Sequence, residues 1–505
     1  MRASGPLFLA LDQGTTSSRA IVFDATGLPV ATSQQEFCQI TPAPGVVEHD
    51  PEEIWSSQLA TARQVLAADG VQPEAVVAIG ITNQRETTIL WDKATGQPVA
   101  PALVWQSRIS EPICRRLIDA GHEDEVRRLT GLRLDPYFSA TKIVHLLETV
   151  EGLAERCRRG EVLFGTVDSW LIWKFTQGRV HATDPSNAGR TLLYDIREGR
   201  WSEQLCSLFG IPPEILPEVR PSAGDFGVAA ESMLGRELPI CGIAGDQQAA
   251  AYGQGCLQPG DAKNTYGTGA FLLFATGKEA VSSRHGLLTT PAADDGHGRG
   301  YFLEGAIFIA GAIVGWLRDG LGIIERASDI EPLAASVPDS GGVVLVPALT
   351  GLGTPHWDPQ ARGLIIGLTR GTTSAHLARA ALESIALQVA EVVECMRHDS
   401  GIQLDRLRVD GGASDNDLLM QMQADLLGVP VERPKVLETT ALGAALLAAR
   451  GAGHAEAIET TLARQTDRVF EPTLDAAARN RRLSLWREAV GRSLGWAGHV
   501  AAQHR

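Results

Sequence analysis

Asp246 is the residue best placed for general-base chemistry. It ends the apolar run PICGIAG and opens the small-residue segment DQQAAAYG, so a strand tip would hold its carboxylate beside a helix start. An alcohol attacking a phosphoryl group needs a proton acceptor within hydrogen-bond reach, and such a base contributes roughly 10²–10⁴-fold. A helix N-cap aspartate would look the same, and position alone does not separate the two. Asp12 stands where LFLAL ends, followed by Gly14 and four consecutive hydroxyl residues, Thr15, Thr16, Ser17 and Ser18. Hydroxyls and loop amides of this kind donate to phosphate oxygens, and an acid beside them can hold a hydrated Mg²⁺. An ordinary polar hairpin loop has the same composition. Arg85 and Glu86 follow the apolar run VVAIGI within TNQRET. A cation and an anion side by side suit a polyol, whose hydroxyls both donate and accept, although most such dipeptides are surface ion pairs. Trp105 and Tyr137 fit either pocket walls or core, and aromatics taken singly favour core.

These residues need elements to position them. Residues 7–23, LFLALDQGTTSSRAIVF, pattern as two strands of a hairpin. LPVATSQQEF follows as a third strand, and Asp50 with Pro51 marks the start of a helix. VVAIGI (residues 76–81) and TTILWD read as strands. Near the centre, KNTYGTGAFLLFAT repeats the opening design of strand, Gly-Thr-Gly turn and strand. Two similar halves are expected, with a boundary near residues 253–259, giving domains 1–254 and 255–505. Further on, GAIFIAGAIVGWL is a helix candidate and GGVVLVPAL a strand; SAHLARAALESIALQVAEVVECMR has clear helical periodicity. LRVDGGASDN ends a strand in a Gly-Gly turn, and TTALGAALLAARGAG is a small-residue helix able to sit close to it. Three Gly-rich turns thus follow strands, at residues 12–18, 266–269 and 410–416. Spread over two halves, they suggest a nucleotide held in a cleft between domains. Strand-Gly-helix junctions are also common in any α/β fold. Neither GxxxxGK[ST] nor a GxGxxG opening a helix is present.

At 505 residues the chain suggests two or more domains. A net charge of −15 argues against a nucleic-acid partner and against adhesion to an anionic membrane. Seven scattered cysteines without a CxxC pair fit neither a disulfide framework nor a zinc site and suit a reducing compartment. No run approaches the length of a membrane span, and no secretion signal is expected, so a cytoplasmic enzyme is. Ser139 to Lys142 matches SxxK and Ser414 to Asn416 matches SDN, motifs of serine acyl enzymes, but KTG is missing and the two lie in different halves.

The blocks LDQGTTSSRA, GITNQRETT, DPYFSATK, FGTVDSWLIWK, GIAGDQQAA, KNTYGTG, GLGTPHWDP and RVDGGASDN together resemble the FGGY carbohydrate kinase family, in order over nearly the whole chain. The resemblance implies two actin-like or RNase H-like α/β domains with a nucleotide and substrate cleft between them. It also implies ATP-dependent phosphorylation of glycerol to sn-glycerol 3-phosphate with Mg²⁺, by a homodimer or homotetramer. By the same resemblance, Thr15, Thr16, Ser17 and Arg19 would contact the phosphates, with Asp12 near Mg²⁺. Arg85, Glu86, Tyr137, Asp246 and Gln247 would bind glycerol, Trp105 and Phe271 would lie on its carbon chain, and Asp246 would be the base. Thr268, Gly311, Gly412 and Asn416 would hold the rest of the nucleotide. The alternatives are another FGGY kinase acting on a pentulose or gluconate, or a non-enzymatic nucleotide switch of the actin or Hsp70 kind. Gly315 departs from the Gln that many members carry, so no nucleotide contact is expected there. The loop ESMLGRELPI keeps only part of the basic pattern through which some members answer to fructose 1,6-bisphosphate, and residues 224–246 contain no His for activation by phosphorylation. Weak or absent control of both kinds is expected, and the segment EPTLDAAARNRR lacks the acidic character that would bind a sugar-transport regulator.

Overall fold

The computed structural model describes residues 5–454, 461 and 466–503, with side chains through 499. Counting only the strands of its two large sheets, the first is built from β1 (Leu7–Gln13), β2 (Ser17–Phe23), β3 (Pro29–Glu36), β4 (Val76–Asn83), β5 (Val228–Ala229) and β6 (Leu238–Gly245). Their order is β5-β6-β4-β1-β2-β3. β1 and β2 form the expected hairpin, closed by Gly14 N–H to the Ser17 carbonyl at 3.0 Å, with Asp12 opposite Arg19. β4 joins β1 in parallel and β6 joins β4 in parallel, which aligns the carboxyl ends of all three on one edge. Asp12, Arg85 and Asp246 leave the sheet at that edge because each ends, or closely follows, one of these strands.

Helix α1 (Pro51–Leu66) covers one face of this sheet. Asp50 caps it by accepting from Glu52 N–H at 2.9 Å, and Ile54, Ala62, Val65 and Leu66 meet Leu9, Leu11, Ile79 and Ile81 in one apolar cluster. Between β4 and β5, a long excursion carries α2 (Ser139–Thr149) and a separate apolar cluster around Leu103, Val126, Phe138 and Ile143. Helix α3 (Asp246–Gly253) follows β6 directly.

The second sheet repeats the plan. Its strands are β7 (Asp261–Tyr266), β8 (Ala270–Gly277), β9 (Leu288–Pro291), β10 (Tyr301–Ile307), β11 (Arg406–Asp410), β12 (Val431–Pro434) and β13 (Thr466–Phe470), in the order β9-β10-β8-β7-β11-β12-β13. The β7–β8 hairpin gains β10 antiparallel on one side and β11, then β12, in parallel on the other. That is the arrangement of β1–β2, β3, β4 and β6. The segment GAIFIAGAIVGWL divides. Gly305–Ile307 complete β10, pairing with Ala270–Leu272, and the helix α4 begins only at Ala312 (Ala312–Asp319). An apolar run this short looks alike in a buried strand and a buried helix, and sheet pairing decided it. The long helix α5 (Ser374–Ser400) falls where periodicity placed it, and helix α6 (Asp417–Leu427) follows the Gly-Gly turn after β11.

Helix α7 (Thr439–Gly451) follows β12 in the chain yet lies on the first sheet. Ala441, Leu442, Ala444, Ala445 and Ala448 share an apolar cluster with Phe8, Ala10, Ala78 and Ala249. The approach is backbone to backbone. A Cβ on Gly80 would lie 2.0 Å from the Ala444 carbonyl oxygen, and one on Gly443 would lie 1.8 Å from that of Ala249 on α3. Small residues in this helix therefore join the two halves of the chain. Gly443→Ala should lower the free energy of unfolding by about 1–3 kcal/mol through overpacking. Gly491→Ala, on an exposed helix face where a Cβ meets nothing within 4 Å, should leave it unchanged or raise it slightly. Chemical denaturation of the two variants checks this.

Candidate active site

At the shared strand edge, Asp246 is the first residue of α3, and Gly245 rather than Asp246 occupies the N-cap position. The Asp246 carboxylate accepts from its own neighbour, Gln247 N–H, at 2.7 Å, and makes no bond deeper into the helix. About 34% of its side chain remains exposed to the cleft. Burial of its surroundings raises its pKa, against the opposing pull of Arg85 and Lys263. A carboxylate with elevated proton affinity and an open face suits a general base, and the N-cap alternative loses its support.

Arg85 and Glu86 are not a surface pair. Both are almost fully buried, and Glu86 holds a left-handed backbone with φ of 63°. Its strained carbonyl accepts from Ser139 Oγ at 3.0 Å and Thr88 Oγ1 at 3.1 Å. The Arg85 guanidinium makes a two-pronged contact with Glu304 (Nη1 to Oε2 2.7 Å, Nη2 to Oε1 3.1 Å), and its Nε lies 3.2 Å from Asp246 Oδ1. Glu304 also accepts from Arg190 Nη2 at 3.0 Å, and Arg190 Nε donates to Glu86 Oε1 at 2.5 Å. Burial would raise Glu304, but Arg190 and Arg85 outweigh it and hold the carboxyl at about 2. Burial wins at Glu86, whose pKa is raised despite Arg190 and Arg85.

Trp105, Tyr137 and Phe271 are half-buried and stand edge to face, with Trp105 centred 5.6 Å from Tyr137 and 6.4 Å from Phe271. They form one aromatic group drawn from both halves, because Phe271 arrives on β8, while Tyr137 also packs against the cluster around Phe138. Trp105 Nε1 donates to Thr15 Oγ1 at 2.9 Å, tying the group to the first Gly turn. Lys142 Nζ donates to the Tyr137 carbonyl at 2.5 Å and the Phe138 carbonyl at 3.3 Å. The Ser139 and Lys142 of SxxK thus buttress Glu86 and Tyr137 separately and form no catalytic pair.

The Gly turns of the second half converge. Gly311 N–H donates to the Gly267 carbonyl at 2.9 Å, and Ala310 N–H to that of Thr268 at 2.8 Å. Gly411, at φ of +83°, lies so close to Tyr266 that a Cβ would come within 2.5 Å of the Tyr266 carbonyl oxygen. Thr268 and Gly412 are exposed beside this junction. Asn416 caps α6 by accepting from Leu419 N–H at 2.8 Å, and its side-chain amide nitrogen has no hydrogen-bond partner among the described residues. In the first half, Thr16 is exposed, and Ser17 Oγ accepts from Gln34 Nε2 at 3.0 Å. Arg19 does not point freely at phosphate; it pairs with Glu438 just before α7. A Cβ at Gly315 would meet nothing within 4 Å, leaving open space where a longer side chain would stand.

Sequence reasoning missed Glu304, Arg190, Lys263 and Glu438. Glu304 had a signal, a lone acid in the otherwise apolar strand YFLEGAI. Lys263, buried on β7, donates to Gln247 Oε1 across the halves and to Thr265 Oγ1 at 2.6 Å. Lysine has only donors, so the Gln247 amide must turn its oxygen toward it and its nitrogen away.

Asp12 makes no hydrogen bond through its carboxylate to any described residue. Burial pushes its pKa up to about 7; Arg19 opposes this, while Glu438 and Asp246 add to it. Such a carboxylate fits a cation held mainly by water and phosphate oxygens, as Mg²⁺ is. Among the described residues, no group of three or more His, Cys, Asp or Glu forms a metal cage of protein atoms alone. With the folded pKa above the unfolded one, the native state is disfavoured progressively as pH rises from about 4 to about 7 and carries the full cost above that. Asp12→Asn should therefore match the wild type in stability at pH 4 and exceed it at pH 8 without ligand. Thermal unfolding across that range is the check.

The model of the FGGY family of carbohydrate kinases, N-terminal domain, matches residues 7–253, and that of the C-terminal domain matches residues 262–452. Glycerol kinase 2 of Thermotoga maritima is 56% identical over 489 residues, covering 97% of this chain and 99% of that protein. Glycerol kinase of Rhodopirellula baltica is 54% identical over 502 residues, covering 99% and 93%. The crystal structure of Plasmodium falciparum glycerol kinase with ADP matches at 35% identity with a TM-score of 0.92, covering 97% and 98%. A gluconate kinase from Lactobacillus acidophilus shares the fold at 20% identity and a TM-score of 0.85. With both halves matched in order and the doubled sheet framing one cleft, the chain belongs to the FGGY family of carbohydrate kinases.

Proposed function

We propose that this chain transfers the γ-phosphoryl group of ATP to glycerol, releasing ADP and sn-glycerol 3-phosphate. The observation that carries this is the partly exposed Asp246 carboxylate, ion-paired to a buried Arg85 beside Glu86, in a cleft to which both halves also bring aromatic rings. The names of the relatives that match over nearly the whole chain support the acceptor.

Arg85 and Glu86 offer a donor and an acceptor to neighbouring hydroxyls, Gln247 turns a donor toward the same space, and Trp105 and Phe271 cover the carbons. Asp246 takes the proton of the attacking hydroxyl as the bond to phosphorus forms. The transfer is largely dissociative, so positioning and charge stabilisation dominate. In the proposed site, Thr15, Thr16 and Ser17 meet the phosphates from one side and Thr268 from the other. Gly311, Gly412 and Asn416 line the remainder of the nucleotide, and Arg19 reaches the phosphates by exchanging Glu438 for them. Asp12 would hold Mg²⁺, which when bound would neutralise charge on the phosphate oxygens. Closing the halves over so small a triol excludes water and limits wasteful hydrolysis. We place the enzyme in the cytoplasm as a homodimer or homotetramer, with weak or absent response to fructose 1,6-bisphosphate. In support of that last point, Arg236 of the partly basic loop is engaged by the Pro73 carbonyl.

ADP release should depend on glycerol in the wild type. Asp246→Ala should lower that turnover by about 10²–10⁴-fold while nucleotide binding persists. Equal ADP release with and without glycerol, or fast turnover of pentuloses or gluconate alone, would sink the assignment. Lys263 favours the ionised form of Asp246. Lys263→Met should therefore raise the Asp246 pKa and move the acid limb of kcat/KM to higher pH, read from the pH profile of the two proteins.

A further inference from the structure

The acceptor side of the cleft depends on a carboxylate from the opposite half. We infer that Glu304, on β10 of the second half, is a positioning residue that sets which edge of Arg85 reads the acceptor, with Arg190 doing the same for Glu86. This rests on the glycerol-transfer function proposed above and deepens it.

Arginine carries five N–H donors in a fixed plane. On Arg85, the two at Nη1 go to Glu304 Oε2 at 2.7 Å and Gln248 Oε1 at 3.2 Å, and one at Nη2 goes to Glu304 Oε1 at 3.1 Å. Nε stands 3.2 Å from Asp246. One Nη2 hydrogen is left for a ligand. Because both prongs of Glu304 are engaged, the guanidinium cannot turn about its own axis to offer a different edge. Arg190 takes Glu86 Oε1 at 2.5 Å, which leaves Oε2 of Glu86 without a partner among the described residues and available to accept a hydroxyl. The same Arg190 reaches Glu304 at 3.0 Å and lies over the Tyr137 and Phe138 rings at 5.4 and 5.2 Å. Arg85, Arg190, Glu86 and Glu304 thus balance two buried cations against two buried anions, with Asp246 at the partly exposed edge of the group. Three of the four belong to the first half. Glu304 alone comes from the second, so an acceptor pocket with defined donors and acceptors exists only when the halves meet. The consequence is specificity: one fixed donor and one fixed acceptor, both buried, reject an acceptor that lacks a matching hydroxyl.

The test is steady-state ADP release from Glu304→Gln, Glu304→Asp and Arg190→Lys, with glycerol, propane-1,2-diol and ATP each varied. Glu304→Gln should raise the KM for glycerol at least tenfold, keep the KM for ATP within twofold, and shrink the preference for glycerol over the diol. Glu304→Asp, which keeps the charge on a shorter stem, should recover part of that loss. Should Glu304→Gln fail to fold, Glu304→Asp and Arg190→Lys must still show the same split. An unchanged KM for glycerol, or parallel rises in both KM values with the diol preference intact, overturns the inference. A wild type that ignores glycerol is a separate result: it overturns the transfer function first, and the positioning role with it.

Discussion

The pairing of Arg85 with Glu304 is the constraint on which the cleft depends. Isolated charges out of water cost several kcal/mol each, and their mutual attraction repays this only when geometry is good and other valences are met. Here both carboxylate oxygens and three guanidinium hydrogens are matched, and a second arginine and a second carboxylate complete the balance. Removing one member strands the rest, which typically costs about 3–5 kcal/mol. An arrangement with that penalty tolerates little variation in how the halves meet.

The two ends of the cleft differ in character for the same reason. The proposed acceptor end is pre-arranged, with Arg85, Glu86, Arg190 and Glu304 nearly or fully buried. The proposed nucleotide end is an open junction of Gly turns, with Thr16, Thr268 and Gly412 exposed. A small triol offers few contacts, so each of its hydroxyls must find a buried partner of the right kind. A nucleoside triphosphate brings its own charge and surface and can be met by backbone amides and hydroxyls from several turns. Asp246 is ion-paired to Arg85 and still partly exposed, as the base of the proposed transfer would need to be.

The hairpin with Asp12 opposite Arg19 was legible because LFLAL and AIVF are strand-length apolar runs around a polar turn. The doubled plan was legible because KNTYGTGAFLLFAT repeats that pattern. The helix expected over GAIFIAGAIVGWL opened as strand and became helix only at Ala312, since only the β8 partner distinguishes a buried strand from a buried helix at that length. Trp105 and Tyr137, which singly resemble core, are joined edge to face by Phe271 from β8, a partner that no local pattern names.

What the sequence determined alone were the local features: strand tips carrying acids, turns requiring glycine, helix starts, and a family likeness spread over matched blocks. These depend on neighbours within a few residues, and their chemistry is visible in residue type. The tertiary structure decided which charges became partners. Glu304 lies 219 residues from Arg85, and Glu438 lies 419 from Arg19, so neither pairing leaves a trace in local pattern. A buried charge is tolerated only where the fold brings its counterpart, and that counterpart is specified by sheet order and by the docking of α7.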